Sequence, residues 1–254
     1  MEKEHGATTL VAGPSDAEVL AKISSGQVWG LAVSGKLASG KDTIAALALQ
    51  RLVEGGPCEQ QSWAMPLKNE MDQILAVMRN ADSKKDALGL IVEQNVSRLH
   101  AQMLMTELWE EARNGAHARS RTPKIRWALQ YLGTDIRREQ HPDYWVTRAI
   151  EMAKTSIFGG SSVFFTDCRF PNEVEAARKI GLYTVRLEVS EEVQRQRLRN
   201  RDGLRLDPVS SVHPSETALD GYNGFDVVVN NDGPIIEAVE VVVAAMRARA
   251  HRYD

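Results

Sequence analysis

Cysteine is scarce. Cys58 and Cys168 are the only two in 254 residues, too few and too far apart for a disulfide framework or a cysteine zinc site, and the count fits a reducing cytoplasm. No apolar run approaches the roughly 20 residues that span a bilayer. The opening Met1-Glu-Lys-Glu-His5 lacks the basic start and apolar core of an export signal. A soluble, cytoplasmic chain with no membrane partner is the expectation. Net charge is also small, −3, which argues against a general nucleic-acid binder. Locally, Arg195, Arg197, Arg199, Arg201 and Arg205 form a basic cluster able to attract phosphates. Only 9 prolines occur, with no compositionally biased stretch to suggest disorder. What remains is ordinary globular material, 43% hydrophobic and 26% charged, long enough for one large α/β domain or two small ones.

The hydrophobic pattern alternates between strand and helix. After a peripheral extension, residues 1–26, in which Ser15 caps a helix-compatible Asp16–Ile23, Val28–Ser34 reads as a buried parallel strand, apolar on both faces. Asp42–Val53 follows as a helix and Gln61–Ala64 as a second strand. From Pro66 to about residue 155 the pattern is almost wholly helical, with segments at Leu67–Arg79, Asp86–Arg113, Lys124–Leu132 and Tyr144–Lys154. Strands return at Ser162–Asp167, Tyr183–Val189 and Phe225–Asn230, interleaved with helices at Asn172–Ile180, Glu191–Asn200 and Pro234–Arg249. The expectation is an α/β three-layer sandwich around a five-stranded parallel sheet, with residues 27–254 forming one domain.

Between the first strand and the first long helix stands Gly35-Lys36-Leu37-Ala38-Ser39-Gly40-Lys41-Asp42-Thr43. The spacing of Gly35, Gly40 and Lys41 is that of a Walker A P-loop. In such a loop small residues let backbone N–H groups close around phosphates, the lysine reaches the β and γ oxygens, and the helix aims its positive end at the same charge. Asp42 departs from the pattern, because Ser or Thr normally puts a hydroxyl on magnesium there. Two alternatives stand: Asp42 holds magnesium through water, or Thr43 serves one position later. Val163-Phe-Phe-Thr-Asp167 is an apolar strand ending in a carboxylate, the arrangement by which a second acid holds magnesium. Arg169, two residues on, is placed to neutralise a transferring phosphoryl group. Glu191–Asp202 carries Arg195, Arg199 and, through the turn, Arg201, a clamp that could close over phosphates and exclude water as a lid at about 191–216.

Several motifs in order, Ser39-Gly-Lys-Asp-Thr43, Trp63-Ala-Met-Pro-Leu-Lys68, Leu129-Gln-Tyr-Leu-Gly-Thr-Asp135 with Arg137, Asp143-Tyr-Trp-Val146, Asp167-Cys-Arg-Phe-Pro-Asn-Glu173, His213-Pro-Ser-Glu216 and Asn230-Asn-Asp-Gly233, together resemble the phage-type deoxynucleoside monophosphate kinases, within the P-loop NTPase superfamily. The resemblance covers most of the chain after residue 28. Residues 1–26 and much of 80–122 lie outside it.

The resemblance implies transfer of the γ-phosphoryl of ATP to a deoxynucleoside 5′-monophosphate, with Mg²⁺, on a fold with a helical acceptor-binding insertion at about 66–155 and an arginine-bearing lid. It implies catalytic roles for Lys41, Arg169, Asp167 and Arg199. Donor contacts would come from Gly35, Lys36, Ala38, Ser39, Gly40, Lys41, Asp42, Thr43, Arg195, Asn230 and Gly233, and metal contacts from Asp42 and Asp167. Acceptor contacts would come from Lys68, Arg126, Gln130, Asp135, Arg137, Asp143, Trp145, Glu173, Ser215 and Glu216. A monophosphate dianion needs basic groups on a helical wall, and Lys68, Arg126, Arg137 and Arg138 all fall in the insertion. Trp127 and Trp145 could pack beside a base, but aromatic residues at helical spacing are more often core, and Ser215 also reads as a helix cap. The 80–122 insert could build a homodimer interface. The location would be the host cytoplasm if the gene is a phage's. The competing readings are a P-loop kinase with another phosphorylated acceptor, such as dephospho-coenzyme A, and a nucleotide-dependent ATPase or switch.

Overall fold

The computed structural model describes residues 13–202 and 217–250. Five strands form one sheet, parallel throughout: β1 (Gly30–Gly35), β2 (Cys58–Gln61), β3 (Ser162–Cys168), β4 (Tyr183–Glu188) and β5 (Val227–Asn230), in spatial order β2-β3-β1-β4-β5. The central strand β1 therefore sits between two strands that come much later in the chain. Strand side chains alternate between faces, and each face has its own core. On one, Leu31, Val33, Val185 and Leu187 pack against α2 (Lys41–Leu52) and α10 (Ile235–Ala250) through Ile44, Leu49, Val239 and Val242. On the other, Ala32, Val163 and Phe165 pack against α1 (Asp16–Ser24), α7 (Tyr144–Phe158) and α8 (Pro171–Lys179) through Val19, Ala153, Ile157 and Val174. The result is an α/β architecture of three layers, as the alternating pattern predicts.

The stretch read as a peripheral extension contributes a helix to the second core. Ser15 and Glu18 cap it reciprocally, Ser15 Oγ accepting from Glu18 N at 3.3 Å and Ser15 N donating to Glu18 Oε2 at 2.8 Å. Val19 is fully buried, and Lys154 of α7 ties Asp16 at 3.0 Å.

β2 begins earlier than its hydrophobicity suggests, at Cys58 instead of Gln61. It is an edge strand whose first three residues are exposed, so it does not need apolar side chains. Ser62-Trp63-Ala64, expected as strand, is a turn, Met65 N donating to Ser62 O.

A separate helical layer fills residues 65–138: α3 (Met65–Asn80), α4 (Lys84–Glu93), α5 (Arg98–Arg113), α6 (Pro123–Gln130) and a π-helical continuation, Tyr131–Arg138. Its core includes Met71, Ile74, Leu75 and Met78 at helical spacing on α3, facing Leu104 and Leu108 of α5. The single helix expected over Asp86–Arg113 is two, because Asn95 adopts left-handed φ (+59°) just past the end of α4 and Ser97 caps α5 by accepting from His100 N. Among the described residues no helix is long and apolar enough to cross a membrane.

Candidate functional site

The carboxyl ends of β1, β3 and β4 converge on the segment Gly35–Lys41. Gly40 takes φ +87° and is the N-cap of α2. An added Cβ there would lie 2.8 Å from Asn231 Nδ2, so both backbone angle and space require glycine. At Gly35 a Cβ would run into Ser39 Oγ and sit 3.1 Å from Leu187 O. The loop is tied down from three directions. Ser39 N donates to Lys36 O at 3.1 Å, Asn231 Nδ2 donates to Ser39 O at 2.8 Å in a buried bond, and Gln194 Nε2 donates to Leu37 O at 2.7 Å. Ala38 is held at φ +60°, a conformation non-glycine residues adopt at a cost of order 1–3 kcal/mol and which surrounding structure must enforce.

This loop opens on a narrow cavity whose lining includes Gly35, Lys41, Asp167, Arg169 and Arg186. Three cationic side chains face one carboxylate, beside the positive end of α2, an environment suited to an anion. A second, larger cavity of about 330 Å³ lies alongside, between the ends of β4 and β5, lined by Lys36, Arg186, Glu188, Asp220, Asn230 and Asp232, among others. Asp232 accepts from Ser190 N at 2.7 Å, which holds its carboxyl below the usual range.

The two acids expected to act together flank the end of β3 from opposite faces. Asp42 Oδ1 accepts from Thr166 Oγ1 at 2.5 Å, on the α2 side. Asp167, one residue on, accepts from Ser62 Oγ at 2.6 Å and Trp63 N at 3.2 Å. Asp167 lines the narrow cavity, and Asp42 reaches the same strand end from α2 through Thr166. Thr43 is exposed on the first turn of α2. Among the described residues no three His, Cys, Asp or Glu side chains converge as a metal site. A divalent cation here would rest on one or two carboxylates and on oxygens of its ligand, the way Mg²⁺ is usually held.

Beyond Asp167, the chain turns through Cys168, Arg169 and Phe170 into α8. Cys168 is buried, accepts from Trp63 Nε1 at 3.0 Å, and has its thiol pushed well up by burial, so it is no nucleophile. Glu173 is buried and reaches back to accept from Arg169 N at 2.7 Å and Phe170 N at 3.1 Å. Burial pushes its carboxyl up to about 7, the two N–H groups pull it down, Asp167 pushes it up again and Arg138 draws it down. Glu173, named from the sequence as an acceptor contact, thus shapes the turn that presents Arg169.

Among the described residues, the other expected acceptor residues lie on α3, α6, its π-helical continuation and the start of α7. Arg137 is buried, and its guanidinium is taken up internally: Nε donates to Glu70 Oε1 at 2.6 Å, and Nη1 and Nη2 donate to Asn95 O and Gln94 O, each at 2.8 Å. It satisfies carbonyls at the end of α4 and is not presented to a ligand in this conformation. Trp145 is also core, buried and donating from Nε1 to Gly133 O at 2.9 Å. Asp143 accepts from Asn172 Nδ2 at 2.7 Å, linking the starts of α7 and α8. Lys68 is half-buried on the first turn of α3, while Arg126, Gln130 and Asp135 are exposed on α6 and its π-helical continuation.

On α9 (Glu191–Asp202) two of the expected clamp residues, Arg195 and Arg199, are exposed; the side chain of Arg201 lies outside the described residues. Arg195 is exposed and pairs with Glu191 at 2.9 Å, and Arg199 Nε donates to Arg195 O. The inward face carries Gln194 and Arg197, three residues apart, Arg197 Nη2 donating to Asn231 O at 2.7 Å. Likewise Asn230 is exposed at the rim of the larger cavity and accepts from Asp232 N at 2.8 Å, whereas its neighbour Asn231 is buried and holds the loop. Among the described residues, a Cβ on Gly233 would meet Glu237 Oε2, at 3.3 Å. His213, Ser215 and Glu216 lie outside the described residues.

Sequence reading gave no role to Gln194, Asn231, Thr166 and Arg186, and took Arg197 only as one of a basic cluster. Arg186 left a signal, a charge inside the otherwise buried strand Tyr183–Leu187. Nothing in the letters separates Asn231 from Asn230.

No family model matches the chain. Over 110 residues it is 34% identical to the uncharacterized protein ORF77 of Ictalurid herpesvirus 1 (strain Auburn), an alignment covering 43% of this chain and 42% of that protein. The chain thus spans less than half the length of this viral relative, to which it is similar over part of its own length.

Proposed function

We propose that the chain is a P-loop nucleotide kinase that transfers the γ-phosphoryl of ATP to a deoxynucleoside 5′-monophosphate. The observation that carries the reading is the segment Gly35–Lys41, which leaves the central strand of a parallel sheet and enters α2 through a left-handed glycine with Lys41 as the first helical residue. In open α/β sheets ligands bind at the carboxyl edge where strand order reverses. β1, flanked by β3 and β4, is such a place. The deoxynucleotide acceptor comes from the motif resemblance.

In this reading Lys41 and the start of α2 bind the donor phosphates, Arg169 faces the transferring group, and Glu173 orients Arg169 by holding its backbone N–H. Asn231, Gln194 and Arg197 keep the loop closed around its cavity, which pre-pays the ordering of the site. Asp167 is the better placed carboxylate for Mg²⁺, with Asp42 contributing from across the strand end. Asp167 accepts from Ser62 Oγ and Trp63 N, and Asp42 from Thr166 Oγ1, and a carboxylate with two oxygens has lone pairs beyond those bonds. When bound, the ion would neutralise charge on the phosphate oxygens. The loop acid and strand hydroxyl, Asp42 and Thr166, stand as an exchanged version of the usual loop hydroxyl and strand acid.

The test is diphosphate formation by the purified chain with Mg-ATP and each of the four deoxynucleoside monophosphates in turn. Acceptor-dependent ATP consumption is expected, and Lys41→Ala should lower it about 10²–10³-fold. ATP hydrolysis indifferent to every acceptor, or turnover unchanged by Lys41→Ala, refutes the proposal.

A further inference from the structure

Arg186 is an arginine inside a buried strand, and no part of the reading above uses it. It lies on β4 directly opposite Ser34 of β1, with its side chain 10% exposed. Nη1 donates to Ser34 Oγ at 2.9 Å, and Nη2 donates to Asp220 Oδ1 at 3.1 Å. Two such bonds leave most of a guanidinium's five N–H donors to other use. Withdrawing a cation from water into a sheet is costly, and one hydroxyl with one carboxylate is a thin return, because an apolar residue of similar size would fill the space without desolvation.

The position of the guanidinium supplies the reason for keeping it. Arg186 lines both cavities, the narrow one with Lys41, Asp167 and Arg169, and the larger one with Lys36, Asn230 and Asp232. It stands at the partition between them. An extended polyanion passing from the larger cavity to Lys41 must cross it, and a planar fork of donors is the side chain best matched to phosphate oxygens.

The same carboxylate that Arg186 holds is also held by the loop. Asp220 Oδ2 pairs with Lys36 Nζ at 3.1 Å, and Oδ1 with Arg186. Asp220 is half-exposed and follows Leu219, which is buried in the core and lines the narrow cavity. One acidic residue therefore bridges two cations at the mouth of the site, as an anionic ligand would.

We infer that Arg186 is a phosphate-binding residue for the donor's triphosphate chain, and that Asp220 is a built-in competing carboxylate which the incoming phosphates displace from Arg186 and Lys36. The inference rests on the proposed donor site and adds a third cation to it, together with an internal latch. Binding would transfer Arg186 and Lys36 from Asp220 to the ligand and release the Thr217–Tyr222 segment from the mouth of the site.

Binding of inorganic tripolyphosphate and of ATP to the full chain, followed by calorimetry, tests this. Arg186→Met should weaken tripolyphosphate about 10–100-fold, the loss of a charge-assisted fork, with Arg186→Lys intermediate. Asp220→Asn, a change at a half-exposed position that leaves the fold intact, should tighten tripolyphosphate about two- to fivefold by removing the competitor. A purely structural Arg186–Asp220 pair predicts no gain in affinity from Asp220→Asn. Binding by Arg186→Met within twofold of the unaltered chain, or by Asp220→Asn no tighter than it, overturns the inference. Lys41→Ala separates the two levels: if it loses tripolyphosphate while Arg186→Met keeps it, the donor site stands and the role of Arg186 falls. If the unaltered chain binds neither probe, both fall.

Discussion

Replacing Glu173 with Gln removes a carboxyl whose ionisation the fold resists. Its pKa is raised from the ordinary 4.5 to about 7, chiefly by burial and further by Asp167, against the opposing pull of the Arg169 and Phe170 N–H groups and Arg138. The sign follows from proton uptake. Below pH 4.5 the carboxyl is protonated in folded and unfolded chains alike, and it makes no difference. Between 4.5 and 7 the unfolded chain releases the proton and the folded chain keeps it, so stability falls as pH rises, and above 7 the loss is complete. At about 1.4 kcal/mol per unit the full loss is about 3 kcal/mol, for a side chain that is 6% exposed. Gln has no such proton, and its Oε1 can still accept from Arg169 N and Phe170 N. Guanidinium unfolding at pH 5 and pH 8 should therefore show the unaltered chain losing about 2–3 kcal/mol more than Glu173→Gln over that interval. Equal losses in the two proteins would refute the assignment of a raised pKa to this residue.

Asn231→Ala strips the donor from the buried Ser39 carbonyl, and should cost about 1–3 kcal/mol in chemical denaturation; a loss under about 0.5 kcal/mol would mean that the loop is held by other contacts. Arg137→Met leaves Glu70 without its ion-pair partner and two carbonyls at the end of α4 without donors. It should lower unfolding free energy by about 3–5 kcal/mol, with Glu70→Met/Arg137→Met recovering part of this. If Arg137→Met instead leaves stability unchanged, the internal tie is not what retains the arginine.

Local spacing and composition were enough to announce the strands, their alternation with helices, the all-parallel sheet and the helical block, because each depends on apolar residues recurring at the period of its own backbone. The same holds for Gly40 and Gly35, whose demands are made by one loop on itself. Boundaries slipped where a tertiary neighbour set them: β2 could be polar only because it is an edge strand, and the Asp86–Arg113 helix broke at Asn95, where Arg137, 42 residues away, takes up the freed carbonyl.

The candidate site divides in the same way. That Lys41, Asp167 and Arg169 meet was legible, since strand ends in a parallel sheet share one edge. Which arginine of α9 faces inward, which of Asn230 and Asn231 is buried, and whether Arg137 is free or spent are settled by the angle at which each element packs, and a sequence carries no record of that angle. Arg186 belongs to both halves. Its charge stood out within a buried strand, but only the pairing of β4 with β1 and the return of Asp220 over the loop put it beside Lys36 and Ser34.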